Sequence, residues 1–231
     1  MIEEPPLLTI RENRPRPTAA QIQALSGQPT GFLADAMDGT GAMVPEIKSI
    51  APGVLPSRMC GAVLTCDTGP ADNLALLAAI TEVVSGDVVV TATGDWRQCA
   101  VVGDRMMGML KNAGAAGFVT DGLVRDIDGL IPLGLPVFCT GLSPNSPHGK
   151  GPGSIGEPVL VGGVTVSSGD VLVSDDNGIV IVPFDRIVTV IARLTTIGKL
   201  ERGLDADIQE GLTVPDSIRD LVESDAVRRV G

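Results

Sequence analysis

A chain of 231 residues, 44% hydrophobic and 19% charged, is long enough for a substantial core and too apolar to remain disordered. A formal net charge of −11, with no tyrosine, one tryptophan and four phenylalanines, excludes the basic, aromatic-bearing surface that nucleic-acid binding needs. The longest apolar stretch, around Leu74 to Val84, is interrupted by Thr81 and Glu82 and is too short to span a bilayer.

Met1 to Pro6 carries neither a basic n-region nor an apolar h-region, so a cytoplasmic protein is expected. Cys60, Cys66, Cys99 and Cys139 are scattered without CxxC spacing and read as small buried hydrophobes in a reducing compartment. Residues 1–16 are Pro-rich and charged, and are expected to form an arm over the surface or onto a neighbouring subunit. Thr18 to Leu25 and Thr30 to Met37 read as short helices, each with threonine as N-cap. Met43 to Pro56 is punctuated by Pro and Gly and predicts loop.

Ala62 to Cys66 predicts a strand, and Asn73 to Val84 a helix. Gly86-Asp87 turns into the β-rich run Val88 to Ala92. A helix is predicted from about Gln98 to Ala113, stopped by Gly114. Strands follow at Gly117 to Thr120 and Pro136 to Thr140, with a short helix starting near Arg125. Pro144 to Pro158 predicts loop. Val159 to Val161, Val164 to Val166, Val171 to Ser174 and Ile179 to Val182 predict strands joined by Gly-Gly, Ser-Gly-Asp and Asp-Asn-Gly turns. Phe184 to Arg202 predicts one long amphipathic helix, and Thr213 to Val222 a last one. The fold class that follows is α/β, with layered sheets and outer helices.

Two motifs are set aside. Gly151-Pro152-Gly153-Ser154-Ile155-Gly156 matches GxGxxG in letters but lacks a strand before it and a helix after it. His148, the sole histidine, lies in a Ser/Pro/Gly loop and reads as solvated rather than as part of a triad, and Lys150 beside it as a surface lysine.

Gly103-Asp104 and Arg125-Asp126 are different. Twenty residues separate Asp104 from the Arg-Asp pair, a spacing that fits a helix and a return strand and would bring Asp104 back beside Asp126. Arginine offers a planar fork to a carboxylate, and aspartates offer hard oxygens to magnesium or manganese. A helix starting at Asp104 would turn the backbone N–H groups of Arg105 and Met106 toward an anion.

These residues, the strand Pro136-Val137-Phe138 ending at Gly141, and the tail from Gly162-Gly163 through Gly169-Asp170, Asp175 and Gly178 to Val182-Pro183 resemble the RraA-like family, which includes 4-hydroxy-4-methyl-2-oxoglutarate aldolases. The similarity runs from about Thr30 to Arg202 and includes Asp72-Asn73 and Ser85-Gly86-Asp87. It implies a swivelling β/β/α-type domain with mixed sheets, divided as arm 1–16, RraA-like catalytic domain 17–203 and C-terminal extension 204–231. It further implies a homotrimer or homohexamer with sites between subunits, and a small 2-oxo acid substrate. By the same resemblance Asp126 holds Mg2+ or Mn2+, Arg125 binds the pyruvate part, and Asp104 holds a metal-bound water. Gly103, Asn73, Arg105 and Met106 complete the implied substrate contacts. Regulatory members, which inhibit a ribonuclease, lack an acid where this chain has Asp104, so the enzyme branch is favoured over a non-catalytic regulator. Departures are Gly129, where the family often has an acid (Asp128 stands one residue early), and the absence of a histidine after Asn73. Glu201 is the candidate for a residue contributed by a neighbour.

Overall fold

The computed structural model describes residues 6–230. Strand β1 (Leu8–Ile10) precedes helices α1 (Ala19–Leu25) and α2 (Thr30–Ala36). After β2 (Lys48–Ser49) come the nine-residue β3 (Met59–Asp67), α3 (Leu74–Ala79) and β4 (Val88–Ala92). The next segment holds β5 (Ala100–Val102), α4 (Asp104–Asn112), β6 (Gly117–Thr120), β7 (Leu123–Val124) and α5 (Ile127–Leu130). Strands β8 (Val137–Cys139) and β9 (Gly153–Ile155) lead to two hairpins, β10 (Val159–Val161) with β11 (Val164–Val166) and β12 (Val171–Asp175) with β13 (Gly178–Val182). Helices α6 (Ile187–Gln209) and α7 (Asp216–Glu223) follow.

The period-two alternation of the strands builds the layers. β3, β4, β6 and β8 pair in parallel, with β9 and β12 antiparallel to β3 and β2 antiparallel to β8. Leu64, Val89, Phe118 and Val137 point to one side, where Leu76 of α3 and Met107 and Leu110 of α4 cover them. Val63, Val88, Val90, Val119 and Phe138 point to the other, against Val159, Val166, Leu172 and Ile181 of the hairpins. The hairpin β12–β13 then turns Val171, Val173, Val180 and Val182 outward, onto Leu25, Leu33, Ile187 and Val190 of the flanking helices. The result is helices, a mixed sheet, a hairpin layer and helices again, the α/β layering expected from the sequence. Among the described residues no helix is long and apolar enough to cross a membrane.

Four expectations are corrected. The helix predicted from Gln98 starts at Asp104, because Ala100–Val102 is a buried strand paired with β7. The 144–158 loop contains β9, which pairs with β1 of the arm in parallel and with β3. The arm therefore lies on the chain's own sheet, held by Arg14 to Glu82 at 2.9 Å and Arg16 to the buried Asp87 at 2.8 Å. The 43–56 loop contributes β2. Finally, Thr18 is an N-cap, completed as a capping box by Gln21, but Thr30 is not. Thr30 is the first residue of α2, and its N–H and hydroxyl both donate to Asp175, at 3.0 and 2.8 Å. Gly114 ends α4 as expected, with φ +93°.

Asp175 links α2 to the β12–β13 turn, where it also accepts from the Asn177 N–H at 2.8 Å. Burial alone would raise its pKa, but the bonds from Thr30 and Asn177 outweigh burial and hold the carboxyl below the ordinary carboxylate value. A carboxyl with a depressed folded pKa stabilises the fold above the unfolded value, about 3.9, and loses that contribution as pH falls through the lower folded value. Asp175→Ala is expected to cost about 1–2 kcal/mol at neutral pH. Urea unfolding should show the gap to wild type narrowing below about pH 4; a constant gap would contradict the assignment.

Burial pushes the Cys60 and Cys139 thiols up to about 11 and Cys66 further still. At about pH 8 these three thiols are expected to resist Ellman's reagent in the folded protein and to react at once in guanidinium chloride. Fast labelling of the folded chain at Cys66 or Cys139 would overturn the packing described.

Candidate active site

The two halves of the site meet through a short parallel ladder. Ala100 pairs with Leu123 and Val102 with Val124. One step further on, the Arg125 N–H donates to the Val102 carbonyl at 3.1 Å. Gly103 then ends the strand and caps α4 with extended backbone and no side chain. A Cβ at Gly103 would lie 2.5 Å from Asp126 Oδ2 and 3.1 Å from Cγ and Nε of Arg125. The bare backbone of Gly103 is what allows both side chains to lie across the start of α4.

Asp126 takes a left-handed backbone, φ 63° and ψ 48°, at the head of α5. Aspartate tolerates this region better than most residues, at a cost of order 1 kcal/mol. Its Oδ2 pairs with Arg125 Nε at 3.2 Å. The Arg125 Nη1 group donates to the Ser146 hydroxyl, which arrives on the loop after β8. Asp104 opens α4, and its Oδ1 accepts the Arg105 N–H at 2.7 Å. Its other oxygen borders Gly129, where a Cβ would sit 2.3 Å from Oδ2 and 2.6 Å from the Asp104 Cβ. The glycine that departs from the family pattern thus has no room for a side chain, since Asp104 fills that space.

These residues line a cleft of about 820 Å³, within the range of small-molecule sites. Asn73, Gly103, Asp104, Arg105, Met106, Arg125 and Asp126, all named from the sequence, line it together, with Asp128, Leu77 and Met109. Asn73 is held by a bond from its Nδ2 to the Val101 carbonyl at 3.2 Å. One detail differs from expectation. The Arg105 N–H is taken up by Asp104, so of the two backbone donors only that of Met106 has no protein acceptor among the described residues.

Glu201 lies on α6, which packs on α1 and α2, so it does not reach this cleft from within the same subunit. His148 is exposed, and its backbone bridges to Asp72. Ser146 and Asp72 were not singled out as site residues. Asp72 accepts from the Leu74 and Lys150 N–H groups at 2.8 and 2.7 Å. It thereby ties the loop that carries Ser146 to the start of α3. Burial works against its charged form, but the surrounding backbone N–H groups prevail and keep its carboxyl below the ordinary value. The flanking proline and glycines of that loop were the available signal.

Among the described residues no group of three or more His, Cys, Asp or Glu side chains forms a ready-made metal cage. Magnesium is commonly held by one or two carboxylates, with water and ligand oxygens completing the shell. The donor set of Asp126 with Asp104 nearby, both lining an open cleft, fits Mg2+ or Mn2+ held in that manner.

Comparison with known proteins places the chain in a family. The RraA-like family profile, described as Aldolase/RraA, matches residues 30–181, and the chain belongs to that family. A provisionally named 4-hydroxy-4-methyl-2-oxoglutarate aldolase of Halalkalibacterium halodurans is 37% identical over 156 residues, covering 67% of this chain and 72% of that protein. An uncharacterized Pseudomonas syringae pv. tomato protein of known structure is 29% identical with a TM-score of 0.73, covering 87% of this chain and 97% of its own. The RNA-processing inhibitor RraA of Thermus thermophilus is 26% identical with a TM-score of 0.62, covering 68% and 93% respectively. One fold thus carries names from two functional classes, and the side chains of the site must decide between them.

Proposed function

We propose that the protein is a divalent-metal-dependent lyase that cleaves a 4-hydroxy-2-oxo acid such as 4-hydroxy-4-methyl-2-oxoglutarate to pyruvate, with oxaloacetate decarboxylation as a side reaction. The observation that carries the reading is the crossing of Arg125 and Asp126 over the bare Gly103, with Asp104 one residue on. A guanidinium for an enolate and carboxylates for a cation and a proton meet there in one cleft.

Arg125 grips the carboxylate and keto oxygen of the 2-oxo acid. Its orientation is already restrained by Ser146 and Asp126, so little freedom is lost on binding. As the C3–C4 bond breaks, the electron pair moves into the pyruvate enolate, and the guanidinium stabilises that charge. Asp104 orients the water that takes the C4 hydroxyl proton and later delivers a proton to C3, which closes the balance of the retro-aldol step. Asp126, with Asp104 through a water, would hold Mg2+ or Mn2+, whose bound form supplies Lewis acidity for charge on the keto oxygen. The reading includes assembly as a homotrimer or homohexamer, in which Glu201 of a neighbour is the residue to examine. Decarboxylation of oxaloacetate passes through the same enolate and needs no further group.

The direct test couples pyruvate release from 4-hydroxy-4-methyl-2-oxoglutarate to lactate dehydrogenase, with Mg2+ and with EDTA. Metal-dependent release is expected. No release from this acid or from oxaloacetate would overturn the reading in favour of a non-catalytic regulator that binds a protein partner.

Arg125→Ala is expected to lower turnover at least about a hundredfold, as loss of one preorganised charge-stabilising donor does elsewhere, with an unchanged melting curve. Asp126→Ala is expected to abolish the response to Mg2+. Full response in that variant would remove Asp126 from the metal site. Gly103→Ala separates geometry from chemistry, because it leaves every functional group in place. The added methyl should push Asp126 and Arg125 aside and lower turnover by about tenfold or more, with a near-normal circular dichroism spectrum. Wild-type kinetics in Gly103→Ala would show that the crossing does not matter.

A further inference from the structure

The cleft contains two cations, and the reaction outlined above uses one. Arg125 is committed: Asp126 and Ser146 both hold its guanidinium. Arg105 lines the same cleft from the first turn of α4 and is exposed, and its side chain forms no hydrogen bond or ion pair among the described residues. Its backbone is fixed by the Asp104 carboxylate, so the side chain leaves a rigid turn. An arginine at this point is not demanded by the fold. The core side of α4 is served by Met107 and Leu110, and Arg105 is on the opposite, open side.

Charge adds a reason. Asp104, Asp126 and Asp128 all border the cleft, so three carboxylates face two guanidiniums. A ligand with a single carboxylate is matched by Arg125 alone. If Arg105 were absent, a ligand with a second carboxylate at its far end would find no further cation in the cleft, only acids, apolar side chains and the Asn73 amide, whose Nδ2 is already given to the Val101 carbonyl. The three carboxylates repel such a group, and Arg105 is the cation of the cleft left to offset them.

We infer that the Arg105 guanidinium receives the distal carboxylate of a 2-oxo dicarboxylic acid, making this residue the determinant that separates dicarboxylic from monocarboxylic substrates. The inference rests on the lyase reading for the identity of the reaction, but not for the binding preference itself. The planar fork of arginine suits a carboxylate held at the open end of a cleft, and an exposed side chain reaches it without disturbing the core.

The test uses two acids of equal chain length, 2-oxoglutarate and 2-oxopentanoate, which differ only in the distal carboxylate. Their dissociation constants are measured by titration calorimetry in the presence of Mg2+ for the wild type, Arg105→Leu and Arg105→Lys. The wild type is expected to prefer 2-oxoglutarate by about tenfold or more, the effect of one charge-assisted hydrogen-bonded pair. In Arg105→Leu the ratio of the two dissociation constants should fall toward one. Arg105→Lys should recover part of the preference. A wild type without the preference, or an Arg105→Leu variant that retains it, would overturn the inference. If the preference is present and depends on Arg105 but no 4-hydroxy-2-oxo acid releases pyruvate, the inference stands and the lyase reading fails.

Discussion

The hydrogen bond from the Arg125 N–H to the Val102 carbonyl holds the two halves of the cleft in register, and the core beneath it decides that register. Val102 and Val124 are almost completely buried and face each other across the β5–β7 ladder. A slip of one residue would take both valines out of the buried positions they fill. Burial of two aliphatic side chains, worth about 1.5–3 kcal/mol each, therefore fixes where Gly103 and Arg125 come to lie. The polar site inherits its geometry from an apolar contact. The same logic places the cleft at the outgoing ends of parallel strands, where chain leaves the sheet and loops are free to carry function.

Space in the site is made by what is missing. Gly103 lets Arg125 and Asp126 cross the head of α4, and Gly129 makes room for the Asp104 carboxylate. Both glycines have ordinary backbone angles, so their value lies in close approach rather than in conformational freedom. The unusual backbone belongs instead to Asp126. Holding an aspartate there costs of order 1 kcal/mol, and the helical turn that follows, in which the Gly129 and Leu130 N–H groups both donate to its carbonyl, keeps it in place.

Much of this was legible in the chain. The run Val88-Val89-Val90 and the valine-rich tail alternate between two buried faces, so the strands announced themselves by length and β-branching. The Asp104 to Arg125-Asp126 spacing could be read because only α4, β6 and the short β7 lie between them, a local unit with predictable geometry. What could not be read depends on contacts far apart in sequence. Strands β1 and β9 are three residues each and exist through pairing with one another, β9 also pairing with β3. Asp175 caps α2 from the β12–β13 turn, a distance at which local propensity carries no information. The onset of α4 was misread for a related reason. Ala100 to Val102 suits either a helix or a buried strand, and the partner β7 decides the outcome. Ser146 was missed because nothing in a Ser/Pro/Gly loop signals that its hydroxyl meets an arginine.

The walls of the cleft divide the work of recognition unevenly. Leu77 and Met109 are each about half exposed, so they form a soft apolar rim rather than a closed pocket. A methylene more or less against such a surface changes binding by only about 1–3 kcal/mol, and an open rim realises less of that than an enclosed one. Charged groups that must find a partner discriminate far more sharply, because the penalty for leaving one unpaired is larger than the gain from any single apolar contact. The choice among small acids in this cleft therefore falls to its guanidiniums. One is restrained by Asp126 and Ser146. The other leaves a fixed turn with no side-chain partner among the described residues. A restrained cation and a free one are what the head of α5 and the start of α4 provide among the described residues.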